Sequence, residues 1–190
     1  PRREVLCGLA EVIKYGVIAD PVLFEFVEGA LDDVMCLREP ALSRVLGACC
    51  SIKARVVSGD EREGGQRAIL NYGHTVAHAL ESVQEYEGLS HGEAVAVGMV
   101  AAGRIAGRLG LAREEEIQRV EGLIRRSGLP VALPGAEPER VLERMSVDKK
   151  RKGGPLRFVL MKRIGEVVVT SDVSEDLVRE ALHSVTSAAS

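Results

Sequence analysis

Neither charge of one sign nor apolar residues accumulate in this 190-residue chain on the scale that nucleic acid or a membrane requires. The formal net charge is only −3, and basic and acidic residues are interspersed except at DKKRK (148–152), so no broad basic face announces nucleic acid. Apolar residues make up 46% of the chain, yet the most apolar run, AVAVGMVAAG (94–103), is half of the roughly 20 residues a bilayer needs. No secretory leader is expected. The cysteines Cys7, Cys36, Cys49 and Cys50 have no CxxC spacing and lie in or near apolar helical stretches, which predicts buried thiols in a reducing compartment rather than a disulfide frame. A cytoplasmic location follows as the expectation. Repeats are absent, and so is a GxGxxG phosphate loop. What remains is one domain, residues 1–185 with a loose tail at 186–190, whose expected partner is a small molecule. The first residue is Pro1, and a strong amphipathic pattern begins a few positions later, as in a piece of something longer.

The patterning predicts a mainly α fold. CGLAEVIKYGVI (7–18) is apolar on nearly every side, as an interior helix is, with Glu11 and Lys14 as its misfits. Helices are expected at 21–37, and from Pro40 to Ser58, before Gly64–Gly65 breaks the chain. Helical character resumes near Ala68 or Gly73 and runs to Val83. Ser90 and Glu93 form a capping box that opens a central core helix with His91 as its first residue, reaching about Leu109. Further helices are predicted at 113–127 and 137–147, separated by GLPVALPG. After a basic loop, LRFVLMKRIGEVVVT reads as two short β runs around Ile164–Gly165, and a last helix starts near Ser174.

Three of the four histidines, His74, His78 and His91, stand in one segment, NYGHTVAHALESVQEYEGLSHGEAVAVGM. Imidazole nitrogen suits a divalent metal, and Glu11 offers an oxygen ligand from a helix where an unpaired carboxylate is costly. A Glu/His/His set leaves a fourth zinc position open, which is the arrangement of a catalytic site. Helical spacing also lines up Arg67, Asn71, His74 and His78 as one stripe, provided the helix begins early enough, like the wall of a pocket. A histidine pair four apart is commonly a surface feature, and Glu11–Lys14 is equally readable as a simple ion pair; spacing alone does not choose. Lys53 falls at helical spacing with Leu46, Cys49 and Val56, the expected inward stripe of its helix. With Lys14 and Arg67 it predicts an anionic substrate. Lys149 and Lys150, beside Gly153 and Gly154, are placed to close over a phosphate, the plain alternative being a solvated charge run. Asp60, Glu61 and Glu63 read as polar loop.

GLAEVIKYG (8–16), DEREGGQRAILNYGHTVAHALE (60–81), HGEAVAVGM (91–99) and DKK (148–150), in that order, resemble the 3-dehydroquinate synthases of the shikimate pathway. The resemblance is to the C-terminal, helical, metal-binding half of that fold, with a small β-hairpin near its end; the N-terminal NAD-binding domain has no counterpart here. It implies that Glu11, His74 and His91 hold Zn2+ or Co2+, and that His78 contacts the leaving-phosphate region. Lys14, Lys53, Arg67, Asn71 and one or both of Lys149 and Lys150 match positions that bind carboxylate, hydroxyls or phosphate. Ala77 departs from the glycine usual between the two histidines.

The implied activity is cyclisation of a seven-carbon keto-acid sugar phosphate, 3-deoxy-D-arabino-heptulosonate 7-phosphate, to 3-dehydroquinate with loss of phosphate, using NAD as transient hydride acceptor and donor. A homodimer is implied with it. The isolated chain is expected to hold metal, bind NAD poorly and turn over nothing. Competing readings are another sugar phosphate cyclase such as an inosose or valiolone synthase, a metal-dependent polyol dehydrogenase, and a non-catalytic helical module.

Overall fold

A computed structural model describes residues 1–63, 66–84, 88–152 and 155–186; the side chains of 59–63, 66 and 148–152 fall outside that description. The chain is mainly α, as the patterning predicts. Its elements run α1 (Arg2–Ala19), α2 (Pro21–Gly29), α3 (Leu31–Met35), α4 (Ala41–Glu63), a 3₁₀ helix (Gln66–Asn71), α5 (His74–Val83), α6 (His91–Arg108), α7 (Glu114–Ser127), α8 (Pro138–Lys152), β1 (Phe158–Arg163), β2 (Glu166–Thr170) and α9 (Glu175–Thr186). Among the described residues no helix is long and apolar enough to cross a membrane.

α6 is the axis of the molecule. It is buried almost continuously from Gly92 to Ala106, because a helix of alanine, valine and glycine has no polar face to turn outward. The expected central helix is therefore present, and α1, α5, α7, α9 and β1 pack around it. Its capping box forms as predicted, the Glu93 carboxylate accepting the Ser90 N–H at 2.7 Å.

Sequence chemistry sets the other boundaries. The Asp20 side chain accepts the N–H groups of Val22 and Leu23, both at 3.0 Å, with Pro21 preset for a first turn, so α1 ends and α2 begins at one residue. The single helix expected over 21–37 is two. Gly29 is a weak helix former, Ala30 leaves helical geometry, and Asp32 and Asp33 supply the negative charge that favours a fresh N-terminus in α3. Helical backbone extends further than expected at two places: α4 continues through the acidic residues 60–63, and α8 through the basic run 148–152, neither of which is loop. The expected break at Gly64–Gly65 and the tail beyond Thr186 lie outside the described residues.

The β runs pair as an antiparallel hairpin, Phe158 opposite Thr170 through Met161 opposite Val167. Gly165 turns it with φ +88°, and its N–H donates to the Val17 carbonyl at 2.9 Å, seating the hairpin tip on the end of α1.

Candidate metal centre

Three helices are brought to one point by very close backbone approaches. A Cβ on Gly92 would lie 2.4 Å from Cys7 Cα, so α1 and α6 cross there only because Gly92 has no side chain. A Cβ on Gly98 would lie 2.0 Å from the Gly73 carbonyl oxygen, which likewise fixes the first turn of α5 against α6. Gly73 itself has φ +79°, which lets the chain turn out of the 3₁₀ helix and start α5 at His74. Beside this turn the fully buried Tyr72 hydroxyl donates to the Met99 carbonyl at 3.4 Å. At the open end, Arg3 donates to the Glu93 carboxylate at 2.6 Å and to the Gly88 carbonyl at 2.8 Å. Partial burial would raise the Glu93 carboxyl, but Arg3 and the Ser90 N–H outweigh it and hold the group below its ordinary range.

Glu11, His74 and His91 consequently offer ligand atoms that all lie within 4.8 Å of one another. Donors bound tetrahedrally at about 2.1 Å stand about 3.4 Å apart, so the three need to close by little more than an ångström around a zinc-sized ion. Glu11 divides its carboxylate between two tasks. Oε2 accepts from the buried Lys14 ammonium at 2.6 Å, while Oε1 is buried, accepts no hydrogen bond, and lies 3.8 Å from His74 Nε2. It is the lone orphaned side-chain oxygen or nitrogen buried among the described residues. A buried carboxylate oxygen without a donor is unfavourable unless a cation completes it, and the donor set fits a divalent metal.

Both histidines present the same nitrogen. His74 Nδ1 is 3.1 Å from the Tyr72 carbonyl, which can only accept, so Nδ1 carries the proton and Nε2 keeps its lone pair. His91 Nδ1 is 3.0 Å from Glu81 Oε1 and is held the same way. Burial first, and the Lys14 charge second, push His74 down from its ordinary value of 6.5, keeping it in the neutral form that binds metal.

The structure thus gathers Glu11, Lys14, His74 and His91. It adds His78, exposed, with its ring 5.6 Å from that of His74 and 6.4 Å from that of His91. Other expectations need correction. The continuous stripe through 67, 71, 74 and 78 does not form, because Gly73 separates the 3₁₀ helix carrying Arg67 and Asn71 from α5; both residues are exposed. Lys53 is not on an inward stripe. Ala41, Val45, Ile52 and Val56 set the buried face of α4, leaving Lys53 outward with Leu46, which is 54% exposed. The side chains of Lys149 and Lys150 lie outside the described residues, on helical rather than loop backbone. Ala77, the departure noted above, is wholly buried. Glu81 and Arg3 went unpredicted. For Glu81 the signal was available: the 4, 3 walk through 71, 74 and 78 reaches 81 at its next step of three.

Comparison with known proteins places the chain in a family. The family model described as 3-dehydroquinate synthase C-terminal matches residues 8–151. A 3-dehydroquinate synthase of Nostoc punctiforme is 47% identical over 97% of this chain and 52% of its own length, and that of Nitrosospira multiformis is 42% identical over 98% and 51%. Among solved structures, 2-epi-5-epi-valiolone synthase from Streptomyces hygroscopicus, with NAD+ and Zn2+ bound, superposes with a TM-score of 0.87 at 28% identity, over 97% of this chain and 52% of its own. A 2-deoxy-scyllo-inosose synthase complexed with carbaglucose-6-phosphate, NAD+ and Co2+ gives 0.84 at 29% identity, over 97% and 53%. The chain spans about half the length of the curated relatives it matches. The family match over residues 8–151, a span that includes Glu11, His74 and His91, makes this chain a member of the 3-dehydroquinate synthase family, within that family's C-terminal part.

Proposed function

We propose that this chain, residues 1–185 as one helical domain, is the metal- and substrate-holding half of a 3-dehydroquinate synthase, working with an NAD-binding half that precedes it. The observation that carries the reading is the convergence of Glu11, His74 and His91 with a buried Glu11 Oε1 that has no donor. Zn2+ or Co2+ held there supplies Lewis acidity toward substrate oxygens. Glu11 and the two Nε2 atoms hold it, and Lys14 compensates the Glu11 charge while bringing a fixed positive charge to the pocket. His78, exposed beside both ligand histidines, is the proposed contact for the substrate's phosphate end. Lys53, Arg67, Asn71, Lys149 and Lys150 are proposed as its anion and hydroxyl contacts. The seven-carbon keto-acid sugar phosphate is the proposed substrate, and a cytoplasmic homodimer the proposed form of the whole protein; the four cysteines are unpaired but not buried as expected, Cys36 and Cys50 being exposed and Cys7 and Cys49 only partly covered.

The valiolone and inosose synthases support a second reading, a cyclase acting on a different sugar phosphate. Identity near 47% to 3-dehydroquinate synthases against 28% to the valiolone enzyme favours the first. The purified chain should carry one zinc or cobalt by elemental analysis, lose it in His74→Ala and His91→Ala, bind NAD weakly by calorimetry and show no turnover. The polypeptide of the whole reading frame should release phosphate from the seven-carbon substrate in preference to six-carbon and other seven-carbon sugar phosphates. A chain that takes up no added zinc, or that turns over fully by itself, overturns the proposal.

A further inference from the structure

Glu81 is a carboxylate in the wrong place for a merely structural helix. It sits in the third turn of α5, 9% exposed, beside the wholly buried Ala77 and Leu80. An apolar residue would serve packing there better, since burying a carboxylate is unfavourable unless something compensates it. Its polar contact is His91 Nδ1, at 3.0 Å, on the first residue of α6. His91 is half exposed, with 51% of its side chain accessible, so packing alone leaves its ring free to turn. Glu81 is not one of the three residues whose ligand atoms converge.

From this juxtaposition we propose that Glu81 is a positioning residue for the metal centre, holding the His91 ring with its Nδ1–H directed at the carboxylate so that Nε2 faces Glu11 and His74. The proposal rests on the metal-centre reading. His74 needs no such partner, because the Tyr72 carbonyl already fixes it within its own turn. The two imidazoles are therefore held differently, one by rigid backbone and one by a side chain from the neighbouring helix. A carboxylate partner also makes the imidazole a better electron donor, and loss of such a partner typically weakens metal binding by roughly 10- to 100-fold.

The test compares the wild-type chain with Glu81→Ala and Glu81→Gln. Cobalt affinity is read by titration against a chelator, and the His91 tautomer by nitrogen-15 shifts of the metal-free protein at mildly alkaline pH. In the wild type His91 should be protonated on Nδ1. Glu81→Ala should bind cobalt roughly 10- to 100-fold more weakly and mix its tautomers. Glu81→Gln, whose amide oxygen still accepts from Nδ1, should keep the tautomer and recover part of the affinity. If circular dichroism shows that Glu81→Ala does not fold, the Glu81→Gln affinity and the wild-type tautomer decide. Wild-type affinity in the variants that fold, or His91 protonated on Nε2 in the metal-free wild type, overturns the proposal. A role confined to stability would lower the melting point and move neither readout. Failure of the wild type to bind cobalt would instead overturn the metal centre itself.

Discussion

Alanine at position 98 tests whether the site depends on the backbone approach of α5 to α6. The new methyl carbon would stand 2.0 Å from the Gly73 carbonyl oxygen and 2.9 Å from its carbon, where ordinary contact begins at 3.4 Å. Both obstacles are backbone, so no side chain can swing aside, and the start of α5 must retreat by about 1.4 Å, the difference between 3.4 and 2.0 Å. Overpacking costs roughly 1–3 kcal/mol, and contact with backbone puts this case at the upper end. The better helix propensity of alanine offsets about 1 kcal/mol. A net loss of about 2 kcal/mol lowers Tm by roughly 4–8 °C in a domain of this size. His74 rides on the displaced turn, whereas metal–ligand distances tolerate about ±0.2 Å, so cobalt affinity should fall at least roughly tenfold. Gly122→Ala is the control: its Cβ meets nothing within 4 Å, and the expected outcome is a Tm rise of about 2–4 °C with unchanged metal binding. Thermal unfolding and cobalt titration of both variants decide the matter. Equal melting points and equal affinities would refute the reasoning.

Glu11→Gln should abolish stoichiometric zinc and, by stranding the buried Lys14 ammonium, destabilise the chain by about 2 kcal/mol in urea unfolding. That figure is below the usual cost of breaking a fully buried pair because a third of the Glu11 side chain is exposed, and adding Lys14→Met should restore stability without restoring metal. Ser174→Ala removes the hydroxyl that accepts the Leu177 N–H at the start of α9; a loss of about 1 kcal/mol by thermal unfolding, with zinc content unchanged, is expected. Burial first, then the neighbouring Cys50, pushes the Cys49 thiol up to about 11. A raised thiol holds less thiolate at any given pH, so Cys49 should be alkylated more slowly than the exposed Cys36 and Cys50 near neutrality, as peptide mass spectrometry would show.

Much of the fold is legible in the sequence where one local rule dominates. The Ser90/Glu93 box followed by small apolar residues reads as a buried helix, and the two β-rich runs around Ile164–Gly165 read as a hairpin or a pair of edge strands, of which the hairpin forms. The converging group is nameable because Glu11 is a misfit in an apolar helix and His91 opens one, while the choice of His74 over His78 comes from what the long motifs' resemblance implies. Phase and partnership were harder to see. Lys53 shares helical spacing with Leu46 and Val56, yet α4 takes its rotation from Ala41, Val45, Ile52 and Val56, a competition between two stripes that spacing cannot settle. Glycine at 73 reads as a weak point in a helix, whereas its tertiary role is to turn the chain and let α6 approach. Spacing puts Glu81 on the His74/His78 face of α5, yet its partner His91 is visible only once α6 is laid beside it.

The seat of Gly165 on Val17 has a mechanical consequence. Taken with the Arg3–Glu93 pairing, it means that α1 is a strut anchored at both ends, and Glu11 lies in its middle span. With α1 tied at both ends, accommodation of an ion is expected to come from rotation of the Glu11 side chain and of the two histidine rings rather than from sliding of the helix. Hydrogen exchange should therefore show the amides in the centre of α1 equally slow with and without metal, any difference being confined to the turns that carry His74 and His91.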